Sequence, residues 1–172
     1  MPLLNLQLKT MKKLLFFFSL IIASGCIHAQ TFTPKPAIAP FKILTTDSVY
    51  MTPANLKKDK AVMIIYFSPD CSHCQHLMYE LKPYMKSFKN IQVIMVTFAE
   101  PLKASQVFYR DFELKKYPNW TVGTEGYTYN VQQYYHIATT PYIAIYDKIG
   151  KPVHYYTTPP KPEELVAEIK KL

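Results

Sequence analysis

Ala61-Val62-Met63-Ile64-Ile65-Tyr66-Phe67, then Ser68-Pro69-Asp70, then Cys71-Ser72-His73-Cys74-Gln75-His76-Leu77-Met78 is the stretch on which the fold turns. Its first seven residues are a continuous apolar run, which predicts a central strand buried on both faces. The period then changes. Cys74, Leu77, Met78, Leu81, Met85 and Phe88 recur at i, i+3, i+4, i+7, i+11 and i+14, one stripe of a helix. This register puts Cys74 on the core side and leaves Cys71 at the helix mouth near solvent. The N-terminus of a helix carries partial positive charge and free N–H groups, which favour a thiolate on the first cysteine. An exposed attacking thiol and a shielded partner can close a disulfide and reopen it, the requirement for thiol–disulfide exchange. Pro83 predicts a kink further along the helix.

Working outward, Ile91 to Phe98 is a second near-continuous apolar strand. Pro101 opens a helix carrying Leu102, Val107, Phe108 and Phe112 to about Leu114. On the N-terminal side, Phe41–Leu44 and Val49–Met51 form a short hairpin around Thr45-Thr46-Asp47-Ser48. Thr52-Pro53 suits an N-cap with proline at the first helical position, opening a brief helix through Leu56. Residues 115–139 are irregular and aromatic, expected as a loop ending in a short helix near Val131 to Tyr135. Pro141 heads the strand Tyr142 to Tyr146. Asp147 to Lys151 is a turn in which Gly150 supplies a positive φ. Val153 to Tyr156 returns as the paired strand, and Pro162 to Leu172 is a terminal helix. The chain has no internal repeat.

The 172 residues are 49% hydrophobic and 19% charged, enough for one domain with an ordinary core beside a targeting segment. Residues 1–29 have the layout of a secretory signal. Met11-Lys12-Lys13 is a basic start, Leu14 to Ile22 an apolar run short for a membrane span, and small or polar residues follow. Met11 is an alternative true start. Ordinary cleavage after Ala29 is the favoured reading and leaves Gln30 first. The rival reading is lipidation of Cys26 in Ala23-Ser24-Gly25-Cys26, which would tether the protein to a membrane. Under either reading Cys26 is not a disulfide partner. Residues 30–40 are a Pro-rich linker and residues 41–172 the folded domain.

The net charge is +8, but Lys9, Lys12 and Lys13 belong to a leader without acids, so the exported part carries about +5. Its lysines are scattered singly or in pairs, with no basic stripe interleaved with aromatics, which argues against a nucleic-acid partner. An exported, periplasmic protein left with two cysteines too close together to staple distant elements points to redox exchange rather than structural bridging.

The element order and the cysteine pair opening the first main helix resemble the thioredoxin-fold family, and within it the exported TlpA-type thiol–disulfide oxidoreductases. The strand–CxxC–helix at Ile64 to Leu81, the Thr140-Pro141 pair heading a strand and the Asp147-to-Lys151 hairpin carry the resemblance. The N-terminal hairpin and the insertion before Pro141 favour the TlpA type over plain thioredoxin. The resemblance covers roughly residues 41–172 and implies a thioredoxin-like α/β fold, a central mixed sheet flanked by helices. It implies that Cys71 attacks, that Cys74 resolves, that Pro141 is a cis-proline beside the cysteines and that the backbone of Thr140 meets the substrate chain. It also implies protein thiol or disulfide substrates, a redox partner protein that recycles the cysteines, and no cofactor. The chain departs from the family in three places. Asp70 stands where Trp is usual, Ile65 stands where plain thioredoxins carry a buried acid, and Pro83 lies further from the cysteines than the usual helix proline.

His73, between the cysteines, supports a Cys71 thiolate by hydrogen bond or charge, whereas Asp70 opposes it, because a neighbouring carboxylate raises a thiol's pKa. The two effects are comparable, so the direction of electron flow is left open. A metal carrier (zinc or copper) or a redox-inactive binding module is the alternative function, since Cys71, His73, Cys74 and His76 are all ligand types. His76, however, falls about 200° round the helix from Cys74, so no metal site is assigned. His28, His136 and His154 have no partner at ligand spacing, and His154 is expected at the surface of an edge hairpin. The tyrosines, 14 in all, are expected to pack core and rim. A peroxidase reading fails because Ser68 fits the required hydroxyl three residues before Cys71, but Ile64 occupies the place of the required proline.

Overall fold

The computed structural model describes residues 37–98 and 102–172. The expected leader, most of the expected linker and Pro101 lie outside the described residues. Seven strands form one mixed sheet: β1 (Ile43–Thr45), β2 (Tyr50–Met51), β3 (Val62–Tyr66), β4 (Gln92–Thr97), β5 (Trp120–Thr124), β6 (Tyr142–Tyr146) and β7 (Pro152–Tyr156), in the order β2-β1-β5-β4-β3-β6-β7. The helices are α1 (Ser72–Leu81), α2 (Leu102–Asp111), α3 (Asn130–Tyr135) and α4 (Pro162–Ile169). None of the described helices is long and apolar enough to cross a membrane.

The apolar run at 61–67 becomes the sheet's middle strand, and all five residues of β3 are buried. β3 runs parallel to β4 and antiparallel to β6, with Tyr66 opposite Val96 on one side and Tyr142 on the other. Antiparallel pairing brings the start of β6 beside the end of β3. That register, set by two apolar strands, joins the turn at 140–141 to the loop at 67–71.

Side chains alternate across the strands and divide the core. On one face Met63, Ile65, Val93, Met95, Ile143 and Ile145 pack with Cys74, Leu77 and Leu81 of α1, Phe108 of α2 and Leu165 of α4. On the other face Ile64, Tyr66, Ile94, Val96, Tyr142 and Tyr146 meet Phe41, Ile43, and Val131 and Tyr135 of α3. The expected stripe from Cys74 to Phe88 is buried throughout.

Several local expectations are corrected. Pro83 does not kink one continuous helix. α1 ends at Leu81 and a 3₁₀ segment, Lys82–Phe88, continues it. Pro83 has no N–H for the Tyr79 carbonyl, and the Lys82 N–H takes that acceptor at the tighter i–3 spacing. α2 stops at Asp111, because Glu113 adopts a left-handed conformation (φ 54°), and Leu114 opens a separate 3₁₀ turn. Thr45 belongs to β1 rather than to the hairpin turn, and Pro53–Asn55 is a single 3₁₀ turn that does not reach Leu56. Most consequentially, part of the expected loop at 115–139 is β5, which lies between β1 and β4. Gly123 stands in this strand, and the sheet explains the glycine. A Cβ there would lie 2.8 Å from the Leu44 carbonyl oxygen, so only a bare backbone lets β1 pair at this point.

Candidate functional site

Between β3 and α1 the chain makes a tight passage. The Phe67 N–H still donates to the Val96 carbonyl, the Cys71 N–H donates to the Ser68 carbonyl, and the Gln75 N–H donates to the Cys71 carbonyl as the first bond of the helix. Cys71 is therefore the N-cap residue, extended at φ −77°, ψ 117°. The Gln75 amide donates back to the Pro69 carbonyl at 2.8 Å and fastens the loop to the helix that follows it. Sequence reasoning missed this bond; its signal was a glutamine in the first full turn after a proline-bearing loop.

The two thiols are free in the structure, Cys71 half-buried and Cys74 buried. They occupy different electrostatic surroundings. At Cys71 burial is the largest influence and pushes the pKa up. Hydrogen bonds from the Thr140 side chain, the Cys74 thiol and the backbone N–H groups of Cys74 and His73 act against it, and together they leave Cys71 below the ordinary thiol value. At Cys74 burial dominates and pushes the thiol up to about 12, helped by the neighbouring Cys71 and opposed by the Ser68 backbone. Spacing alone anticipated an exposed and a shielded thiol. The structure adds the donors, and they converge because a helix mouth and a remote turn meet there.

That turn is Thr140-Pro141, whose peptide bond is cis. The Cys71 thiol donates to the Thr140 carbonyl over 3.5 Å, across 69 residues of sequence. Pro141 is buried and Thr140 half-buried. Asp70 and His73 flank the thiols with exposed side chains, and His73 meets Cys71 through its backbone N–H. His76 points away and pairs with Glu80 at 3.3 Å on the outer face of α1. Among the described residues, no group of three or more His, Cys, Asp or Glu side chains is arranged to hold a metal ion.

A buried acid is present after all, though not at Ile65. Glu125, at the end of β5, accepts a hydrogen bond from the Tyr66 hydroxyl at 2.9 Å and another from the Val131 N–H at 2.9 Å. It lies among the tyrosines on the face away from Cys74 and fixes the start of α3. Burial holds its pKa above the usual carboxylate range against those donors. Its sequence signal was hidden in the segment expected to be loop.

A mixed sheet of this order, with a cysteine pair opening the helix after its middle strand and a cis-proline turn against the first thiol, defines a thioredoxin fold. The profile of the thioredoxin-like domain matches residues 50–172, and the chain belongs to that family. No curated protein matches the sequence. Among solved structures, the chain is similar to a secreted Mycobacterium tuberculosis disulfide oxidoreductase homologous to E. coli DsbE, with 16% identity and a TM-score of 0.65, covering 77% of this chain and 96% of that one. It is similar to DsbF of the same organism at 18% identity and a TM-score of 0.67, covering 80% and 98%. It is also similar to copper-bound ScoI of Arabidopsis thaliana at 14% identity and a TM-score of 0.61, covering 79% and 100%. These likenesses establish a shared fold.

Proposed function

We propose that the protein is an exported thiol–disulfide oxidoreductase of the TlpA type that exchanges disulfides with protein substrates through Cys71 and Cys74. The observation that carries this reading is the split between the thiols, Cys71 below the ordinary value and Cys74 at about 12, at one helix mouth. The Cys71 thiolate attacks one sulfur of a substrate disulfide. The substrate S–S bond breaks, a Cys71–substrate disulfide forms, and the departing thiolate takes a proton. In the mixed disulfide Cys71 no longer carries charge, so the part of the Cys74 shift that comes from Cys71 disappears. Cys74 then loses its proton and attacks the Cys71 sulfur. The substrate leaves with two more electrons, and Cys71 and Cys74 are joined. A redox partner protein with its own thiol pair restores the reduced form, and the reverse sequence donates a disulfide.

Thr140 and Pro141 form the wall against which the substrate chain lies, and His73 and Asp70 flank the reacting sulfur. Export rests on the signal-like leader, with cleavage after Ala29, and on the secreted character of the M. tuberculosis neighbour. Two measurements test the proposal. The Cys74→Ser variant should trap mixed disulfides with exported proteins, while Cys71→Ser traps none. Oxidised and reduced protein should differ by two hydrogens confined to this pair. Both thiols remaining free in a mildly oxidising glutathione buffer would overturn the enzyme reading.

A further inference from the structure

The cysteines lie beyond the C-terminal end of β3. At the opposite end of the sheet, where β3, β4 and β5 begin, a cavity of about 610 Å³ opens between the 53–60 segment, the 3₁₀ segment after α1 and the 114–119 turn. Ligand pockets are typically about 300–1,000 Å³.

Five lysines reach it from three separate stretches of chain: Lys57, Lys60, Lys86, Lys89 and Lys116. The residues around the cavity include no Asp or Glu. Lys116 is paired with Glu113, whereas the other four have no carboxylate partner among the described residues. Four like charges gathered around one opening repel one another, and an anion relieves that repulsion. The scatter of lysines along the sequence conceals this grouping, which arises only when the three stretches meet.

Beneath the lysines the accessible wall is apolar, formed by Met51, Tyr117 and Pro118 over the buried Met85 and Ile91. The side-chain amides in the wall are already committed. The Gln92 amide donates to the Lys57 carbonyl at 3.0 Å and accepts from the Lys57 N–H at 2.6 Å. The Asn119 amide donates to the carbonyls of Phe88 at 2.8 Å and Ile91 at 3.1 Å. The Asn55 oxygen accepts the Thr52 N–H at 2.8 Å. These bonds brace the three stretches against one another, so the cavity walls are held in place before any ligand arrives. They leave the lysine ammonium groups as the charged donors.

We propose that this cavity binds an amphipathic anion, a molecule with a phosphate or carboxylate head and an apolar body. The head lies among Lys57, Lys60, Lys86 and Lys89, and the body lies on Met51, Tyr117 and Pro118, with Met85 directly behind them. The site is separate from the thiol chemistry, so it stands or falls independently of the proposed oxidoreductase activity.

The experiment uses the full chain with methyl-labelled methionine and decyl phosphate below its micelle concentration. Binding is expected at one site with a Kd on the order of 10–100 µM, shifting the Met51 and Met85 methyl signals and weakening with salt. Lys86→Gln with Lys89→Gln should weaken it about tenfold, while Lys86→Arg with Lys89→Arg retains it. Inorganic phosphate and the uncharged decyl maltoside should each bind far more weakly. The circular dichroism spectrum and urea midpoint of these variants should match those of the parent protein, which shows that they fold. Phosphatidylglycerol vesicles distinguish the ligand's source. Lysine-dependent vesicle binding tighter than that of free decyl phosphate assigns a bilayer lipid, and the reverse order assigns a free amphiphile. No methionine shift at millimolar decyl phosphate overturns the proposal, as does binding indifferent to the lysine substitutions or matched by decyl maltoside.

Discussion

On the face of the sheet that carries α1, Cys74 shares a core of apolar side chains, among them Met63, Ile65, Phe67, Leu77, Met78, Leu81 and Phe108. On the opposite face the same strands present Tyr66, Tyr142 and Tyr146 to Tyr135 of α3. The first face packs by shape and excludes water, and that dry surrounding raises Cys74. The second face buries hydroxyls, and most of them bond to particular partners. Tyr135 and Tyr146 join through their hydroxyls at 2.7 Å, the Tyr146 hydroxyl donates to the Ala37 carbonyl at 3.0 Å, and the Ala39 N–H donates to Tyr135 at 3.1 Å. Apolar packing on one side sets a thiol's chemistry, and hydroxyl bonding on the other ties a chain segment into register.

The widest difference between the faces should appear on opening the dry one. Leu77 is fully buried beside α1's cysteine stripe, so Leu77→Ala should lower unfolding stability by about 2–5 kcal/mol. It should also lower the Cys74 pKa as water enters, which thiolate absorbance would report. A stability loss with Cys74 still at about 12 would break the link between packing and thiol chemistry.

In the intact reduced protein, Cys71 should alkylate at least about a hundredfold faster than Cys74 at neutral pH. The lower pKa gives Cys71 far more thiolate, and the greater intrinsic nucleophilicity of a high-pKa sulfur recovers only part of that gap. Mass-resolved alkylation kinetics measure the ratio, and equal rates would remove the asymmetry.

On the hydroxyl face, Tyr135→Phe leaves the buried Ala39 N–H without its acceptor and should cost about 1–3 kcal/mol in urea denaturation. If Tyr135→Phe and Tyr146→Phe are simply additive, the hydroxyls do not act as a network.

A smaller effect separates the faces by pH. The Glu125 pKa is raised in the folded protein, first by burial. Its contribution to stability is therefore fully present below the ordinary carboxylate value, about pH 4, and is lost as pH rises through the raised value. Glu125→Gln should flatten that part of the stability profile, whatever offset it introduces.

Smallest of all, His73→Ala should raise the Cys71 pKa and Asp70→Asn should lower it, both weakly, because both side chains are exposed and screened by solvent. Titrating both variants checks the opposed signs.

Much of the architecture was legible because its signals are local and periodic. The runs at 61–67 and 91–98, the stripe from Cys74 to Phe88 and the Gly150 turn need only neighbours in sequence, and the structure keeps them all. β5 was illegible because Trp120-Thr121-Val122-Gly123-Thr124 reads as a strand only when the Leu44 carbonyl explains the glycine. Glu125 was lost with it. Among the site residues, the two cysteines and the turn at Thr140-Pro141 could be named in advance, but the bonds that separate the thiols could not.

The sequence by itself determined where the cysteine pair lies, at a helix mouth after a buried strand, and which thiol faces the core, because a helix repeats every 3.6 residues and a strand every two. Only the tertiary structure decided that Thr140 lies against Cys71, that β5 fills the sheet between β1 and β4, and that lysines from three stretches share one cavity. Those juxtapositions depend on strand register between segments far apart in sequence, 69 positions in the case of Cys71 and Thr140, and register is set by pairing partners rather than by any short segment alone.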